Sequence, residues 1–335
     1  MLLKPRILFF GGKGGVGKTT LASGMALALA SRRLRTLLVS TDPAHSTSDI
    51  LRTDLGPEPR AVAPNCWAME LSPEIEADRY IARVKARLAD AVPPRLVAEV
   101  DRQIDLARAS PGAAEAALFE RFVRILEREG SAFDRVVFDT APTGQTLHLL
   151  SLPEQMSAWI AGLMRRRRKV TAAGRMWRNV AGSAASGPPA DVDPVLAALE
   201  ERRSLFLRAR DRLADPRQTA FIFVVVPERL PIWETVRAVR TLASHAIPIG
   251  AIVVNQVLPD DLSGGFAGRR RERQIEHLGL IERDLGAWPL FRVSMADTDP
   301  VGTDALFRLG EDLISASGAS PEATVGPGAA RDGGA

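Results

Sequence analysis

The 335-residue chain has one cysteine, Cys66, and that shortage closes several routes at once. It excludes an intramolecular disulfide, a Cys-x-x-Cys metal site within the chain and any thiol cluster that a single chain would have to build. No run reaches the roughly 18–20 uninterrupted apolar residues of a membrane-spanning helix. Met1 leads into a strand by Ile7 without a long apolar segment ending at a small-residue cleavage site. Both features argue for a cytoplasmic protein whose membrane contacts, where it has any, are peripheral. No internal repeat is visible. A marked charge excess is also missing: 44 basic residues stand against 40 acidic, so nucleic acid is not an implied partner. Much of the surplus sits in residues 165–169, RRRRK, which is either a dock for an anionic partner or membrane surface, or a solvated helix face.

What is present is the balance of a globular protein, 46% hydrophobic and 25% charged. Residues 6–10 (RILFF) form a short apolar run stopped by glycine and read as a buried strand. After a Gly-rich turn, residues 20–30 are rich in strong helix formers, and residues 36–41 (TLLVST) form a second strand ending on Asp42. Residues 74–129 are amphipathic and helical, broken at Pro93-Pro94 and at Ser110-Pro111-Gly112. Residues 135–138 (RVVF) return to strand and end on Asp139. Further strands are predicted at 219–226, 249–255 and 288–293, with helices at 200–215, 232–243, 269–283 and 302–314 between and after them. The alternation predicts an α/β protein of three layers with a mostly parallel sheet and an inserted helical region, which the loop at Gly12–Thr19 makes a P-loop NTPase fold. Residues 1–314 are expected to form one domain with helical insertions at about 74–130 and 150–215. Residues 315–335, almost without apolar anchors, are expected to be disordered.

Gly12 to Thr19 spell GKGGVGKT, which satisfies G-x-x-x-x-G-K-[ST] after a strand and before a helix. Glycines let the chain turn back so that successive N–H groups face phosphate oxygens, and the following helix adds its positive end. Gly12, Gly14, Gly15, Val16, Gly17 and Thr20 are therefore candidate nucleotide contacts, together with Lys18 for the outer phosphates and Thr19 for Mg²⁺. The expected cofactors are ATP and Mg²⁺, with neither zinc nor an iron–sulfur cluster. Lys13 adds a second lysine that serves its own site, reaches across a dimer interface or merely sits on the surface. Asp139 is placed to hold Mg²⁺ through water, and either Asp139 or Asp42 to orient the attacking water, since both leave the sheet on its ligand side. Met156, Trp159, Ile160, Leu163 and Met164 recur at helical spacing and make either a client-binding surface or ordinary packing.

GKGGVGKTT, STDPAHSTSD and FDTAPTGQTLHLLSLP, with the later Asn255-Gln256, resemble the deviant phosphate-loop family of arsenite-pump ATPases and of cytosolic ATPases that target tail-anchored membrane proteins. The likeness runs from about Lys4 to Ile314 and includes Pro227-Glu228-Arg229-Leu230-Pro231. It implies that Lys13 reaches the phosphates of a partner subunit, that Asp42 positions the water, that Asp139 opens the second nucleotide-sensing loop and that Asn255 reads adenine. It also implies a homodimer whose ATP hydrolysis serves a hydrophobic helical client and a membrane-associated receptor, or an anion pump. A switch or scaffold without cargo is the third option. Four features depart from the family. Gln145 and His148 replace the usual His and Arg, no Cys-x-x-Cys follows Asn255, the arsenite-binding cysteines are missing, and Ser294-Met295-Ala296-Asp297 lacks the usual Pro-Leu.

Overall fold

A computed structural model describes residues 2–42, 46–89, 101–102, 105, 113–127, 129–140, 161–162, 165, 194–318 and 324–325. The strands are β1 (Ile7–Gly11), β2 (Thr36–Ser40), β3 (Arg60–Ala63), β4 (Cys66–Glu70), β5 (Arg135–Asp139), β6 (Thr219–Val225), β7 (Ile249–Val257), β8 (Leu290–Ser294) and β9 (Thr324–Val325). They form one sheet in the order β3-β4-β2-β5-β1-β6-β7-β8-β9. Only β3 and β4 pair antiparallel; the other pairs are parallel. Every residue of β1, β2 and β6 is buried. Helices cover both faces of these strands, and for that reason they read as continuous apolar runs rather than alternating ones.

The described helices are α1 (Lys18–Ser31), α2 (Ser46–Leu51), α3 (Pro73–Ala89), α4 (Ala113–Glu127), α5 (Pro194–Ala214), α6 (Arg229–Ser244), α7 (Gly265–Leu285) and α8 (Thr303–Gly318). Helices α4 to α7 supply one core, in which Phe9 stacks at 4.7 Å on both Phe138 and Phe221. Helices α1 and α8 supply the other, built on Leu8, Phe10, Met25, Leu306 and Leu313. Between α3 and α4 the fully buried Glu76 lies 3.8 Å from the Arg121 guanidinium. Burial pushes its carboxyl above the ordinary range, and Arg121 opposes that shift.

Strand β1 lies between β5 and β6, so the chain reaches its two neighbours in opposite directions. That is the switch point at which a parallel sheet opens a ligand crevice beyond its strand ends. The sequence reading omits the β3–β4 pair, whose Arg60–Ala63 strand is short, largely exposed and weakly apolar. Of the segment for which composition predicts disorder, residues 315–318 and 324–325 are described. Helix α8 continues to Gly318 because Ala316 and Ser317 are buried against the second core, and Thr324–Val325 pairs with β8. Gln145, His148, the stripe residues Met156, Trp159, Ile160, Leu163 and Met164, and residues 166–169 lie outside the described residues.

Candidate nucleotide site

The loop between β1 and α1 crosses the ends of β1 and β6. At Gly12 (φ +153°) a Cβ would stand 2.3 Å from the Val224 carbonyl oxygen, so only glycine lets the chain pass this close to β6. Gly17 ends the loop in the left-handed region, at φ 89° and ψ 26°, and caps α1. A Cβ on Gly14 or Gly15 would meet nothing within 4 Å, so these residues border open space at the head of the helix. Open space bounded by glycine backbone at a helix N-terminus is an anion cradle.

The two loop lysines take different positions. Lys18 is 4% exposed and donates from Nζ to the Lys13 carbonyl at 3.1 Å, holding its charge over the loop. Lys13 points to the rim, where its Nζ lies 3.2 Å from Glu234 Oε1 of α6 and its side chain stays 35% exposed.

Asp139 ends β5 with its carboxylate buried, and neither oxygen has a hydrogen-bond partner of full geometry. Burial pushes its pKa up to about 7; the Thr19 hydroxyl and Lys18 ammonium draw it down, Asp42 raises it and Thr47 lowers it. A buried, unsatisfied carboxylate beside a hydroxyl and a lysine is costly unless something completes it. A divalent cation held by Thr19 and Asp139 fits the oxygen donor set. Asp42 follows β2, with Thr41 N–H bonded to the Asp139 carbonyl at 2.9 Å, so both aspartates stand at adjacent strand ends. Thr20 lies in the first turn of α1, partly exposed.

Asn255, on β7, donates from Nδ2 to the Val16 carbonyl at 2.8 Å and so braces the loop itself. Its neighbour Gln256 has φ +58°, a left-handed residue at an irregularity in the strand. Gln274 of α7 spans that irregularity, accepting from Leu258 N–H at 2.8 Å and donating to the Gln256 carbonyl at 3.2 Å. Beside it opens a cavity of about 640 Å³ lined by Pro227, Glu228, Gln256, Phe266, Arg273 and Met295. Met295, one of the residues departing from the family's usual sequence, therefore borders the region next to Asn255. Sequence reasoning missed Glu234 and Gln274, because neither belongs to a motif, and it quoted Ser46, Thr47 and Ser48 within STDPAHSTSD without giving them a role.

A family model described as anion-transporting ATPase matches residues 5–315. The chain belongs to the anion-transporting ATPase family. It is similar to the ATPase GET3B of Arabidopsis thaliana, 32% identical over 332 residues that cover 92% of this chain and 78% of that protein. To the ATPase get3 of Schizosaccharomyces japonicus it is 32% identical, with 92% of each chain covered. The arsenical pump-driving ATPase of Escherichia coli is 31% identical over 95% of this chain, which spans only 51% of that longer protein. As an ATPase of this family, the protein binds nucleotide, and the glycine cradle, Lys18 and the Thr19–Asp139 pair fit that role.

Proposed function

We propose that this ATPase is a Mg²⁺-dependent, nucleotide-switched homodimer that handles a hydrophobic segment of membrane proteins. The carrying observation is the separation of the two loop lysines, Lys18 buried over its own cradle and Lys13 at the rim in a pair with Glu234. A rim lysine at a phosphate loop is suited to a second subunit's phosphates, and its pair with Glu234 is exposed enough to exchange. Leu230 and Trp233, 59% and 50% exposed on the same helix as Glu234, offer apolar surface for a partner subunit.

In this scheme Lys18 and the loop N–H groups hold the phosphates, Asp42 orients the attacking water, and Asn255 keeps the loop in register while facing the base. Mg²⁺ on Thr19 and Asp139, when bound, neutralises charge on the phosphate oxygens. The family resemblance supports the hydrophobic client, as do the relatives named GET3B and get3. An arsenite pump has less support. Cys66, the chain's single cysteine, is buried on β4, where burial pushes its thiol up to about 12, far from the thiolate that would bind arsenic. Among the described residues no helix is long and apolar enough to cross a membrane.

Sedimentation with Mg²⁺ and a nonhydrolysable ATP analogue should give a compact dimer that retains a peptide of a tail-anchor segment, and ADP should release the peptide. Retention independent of nucleotide contradicts the switch. Arsenite-stimulated turnover that is lost in Cys66→Ser contradicts the choice of client.

A further inference from the structure

Helix α2 is only six residues long, yet it places consecutive hydroxyls on both groups that fit the cation. Ser46 Oγ lies 3.1 Å from Thr19 Oγ1. Thr47 is fully buried with its hydroxyl beside the Asp139 carboxylate, and neither group has another hydrogen-bond partner of full geometry. A helix this short has too few internal hydrogen bonds to hold itself in place. Something outside it must.

That anchor is Glu70, at the end of β4 and 5% exposed. Its Oε1 accepts from the Ser48 backbone N–H at 2.9 Å, and its Oε2 accepts from Ser48 Oγ at 3.0 Å. Ser48 Oγ in turn accepts from the Leu55 N–H at 3.2 Å, which ties the exit of α2 to the same point. The Glu70 N–H is itself held by the Gly56 carbonyl at 2.9 Å. Ser48 N–H is one of the helix's unsatisfied first-turn donors, so the carboxylate caps α2 from a neighbouring strand and places negative charge at its positive end. A buried carboxylate accepting two hydrogen bonds from one residue leaves that residue little freedom.

Resting on the reading of the loop as a Mg²⁺–ATP site, we propose that Glu70 is a positioning residue for cation binding and turnover: by clamping Ser48 it fixes α2, and α2 fixes the hydroxyls at Thr19 and Asp139. Both Glu70 carboxylate oxygens are engaged by Ser48, so its part in the site runs through that residue. The clamp ties α2, which follows Asp42 in the chain, to the end of β4.

The test compares Glu70→Ala, Ser48→Ala, the double variant and Glu70→Gln. Mg²⁺ is titrated calorimetrically into protein saturated with a nonhydrolysable ATP analogue, and turnover, metal-free analogue affinity and melting temperature are measured alongside. Each alanine variant should weaken Mg²⁺ affinity by about tenfold and lower kcat by a similar factor, the scale of a lost charge-assisted hydrogen bond. Metal-free analogue affinity should stay within about twofold, because the glycine cradle is untouched. The double variant should be no worse than either single one, since both cut the same clamp. Glu70→Gln should fall between, its carbonyl still accepting from Ser48 N–H, and with Ser48→Ala it keeps the test decisive if Glu70→Ala does not fold. Lower melting temperature with Mg²⁺ affinity and kcat per folded molecule unchanged overturns the proposal, as does a double variant whose losses multiply. If the wild-type protein itself shows no Mg²⁺-dependent turnover, the site reading fails instead.

Discussion

Lys18→Ala lowers ATP turnover by about a hundredfold or more, with the fold intact by circular dichroism. The lysine is 4% exposed and donates to the Lys13 carbonyl within the same loop, so its removal leaves the sheet and both cores untouched. What disappears is a preorganised positive charge over the cradle, the feature on which phosphoryl transfer depends most because the protein contributes position and electrostatics rather than covalent chemistry. Steady-state phosphate release is the check. Turnover within about threefold of wild type would remove Lys18 from the transition state and put the site elsewhere.

Gly310→Ala is expected to be the most damaging added methyl among the described glycines, costing about 3 kcal/mol or more and lowering the urea midpoint accordingly. Helices α1 and α8 cross with backbone against backbone: a Cβ on Gly310 would stand 1.9 Å from the Gly24 carbonyl oxygen and 2.9 Å from the Ala28 Cβ. No flexible side chain is available to yield, so one helix must move. Because Lys18 and Thr19 open α1, that displacement reaches the nucleotide site, and ATP affinity should fall together with stability. A midpoint shifted by less than the equivalent of about 1 kcal/mol would mean that the two helices separate at little cost.

The local features of this protein are legible in its sequence. GKGGVGKT announces its own conformation because Gly12, Gly15 and Gly17 take positive φ and Gly12 passes against the Val224 carbonyl. The runs at β1, β5, β6 and β7 announce buried parallel strands because both of their faces are apolar. Strand ends carrying Asp42 and Asp139 follow from the same runs. Partnerships are less legible. Glu234 reads as one more acid on an amphipathic helix until the fold brings α6 to the loop, and Glu70 reads as the polar end of a strand until α2 lies beside it. Asn255 shows the limit from the other side. Its importance is suggested by the family resemblance, yet the direction of its amide, toward the Val16 carbonyl, depends on an irregular strand and on Gln274, neither of which has a sequence signature. Short, exposed β3 carries too little apolar pattern to be found.

The most direct test of the nucleotide-switched dimer is subunit complementation between Lys13→Ala and Asp42→Asn. Each variant alone should be nearly inactive, the first because no partner lysine reaches its phosphates and the second because no carboxylate orients the water. Mixed and allowed to exchange, they should recover about a quarter of wild-type turnover, since half the dimers of a statistical two-fold mixture pair unlike subunits and each such pair has one complete site. A mixture no more active than the sum of its parts, with subunit exchange verified, would show that Lys13 acts within its own chain and would contradict the shared site.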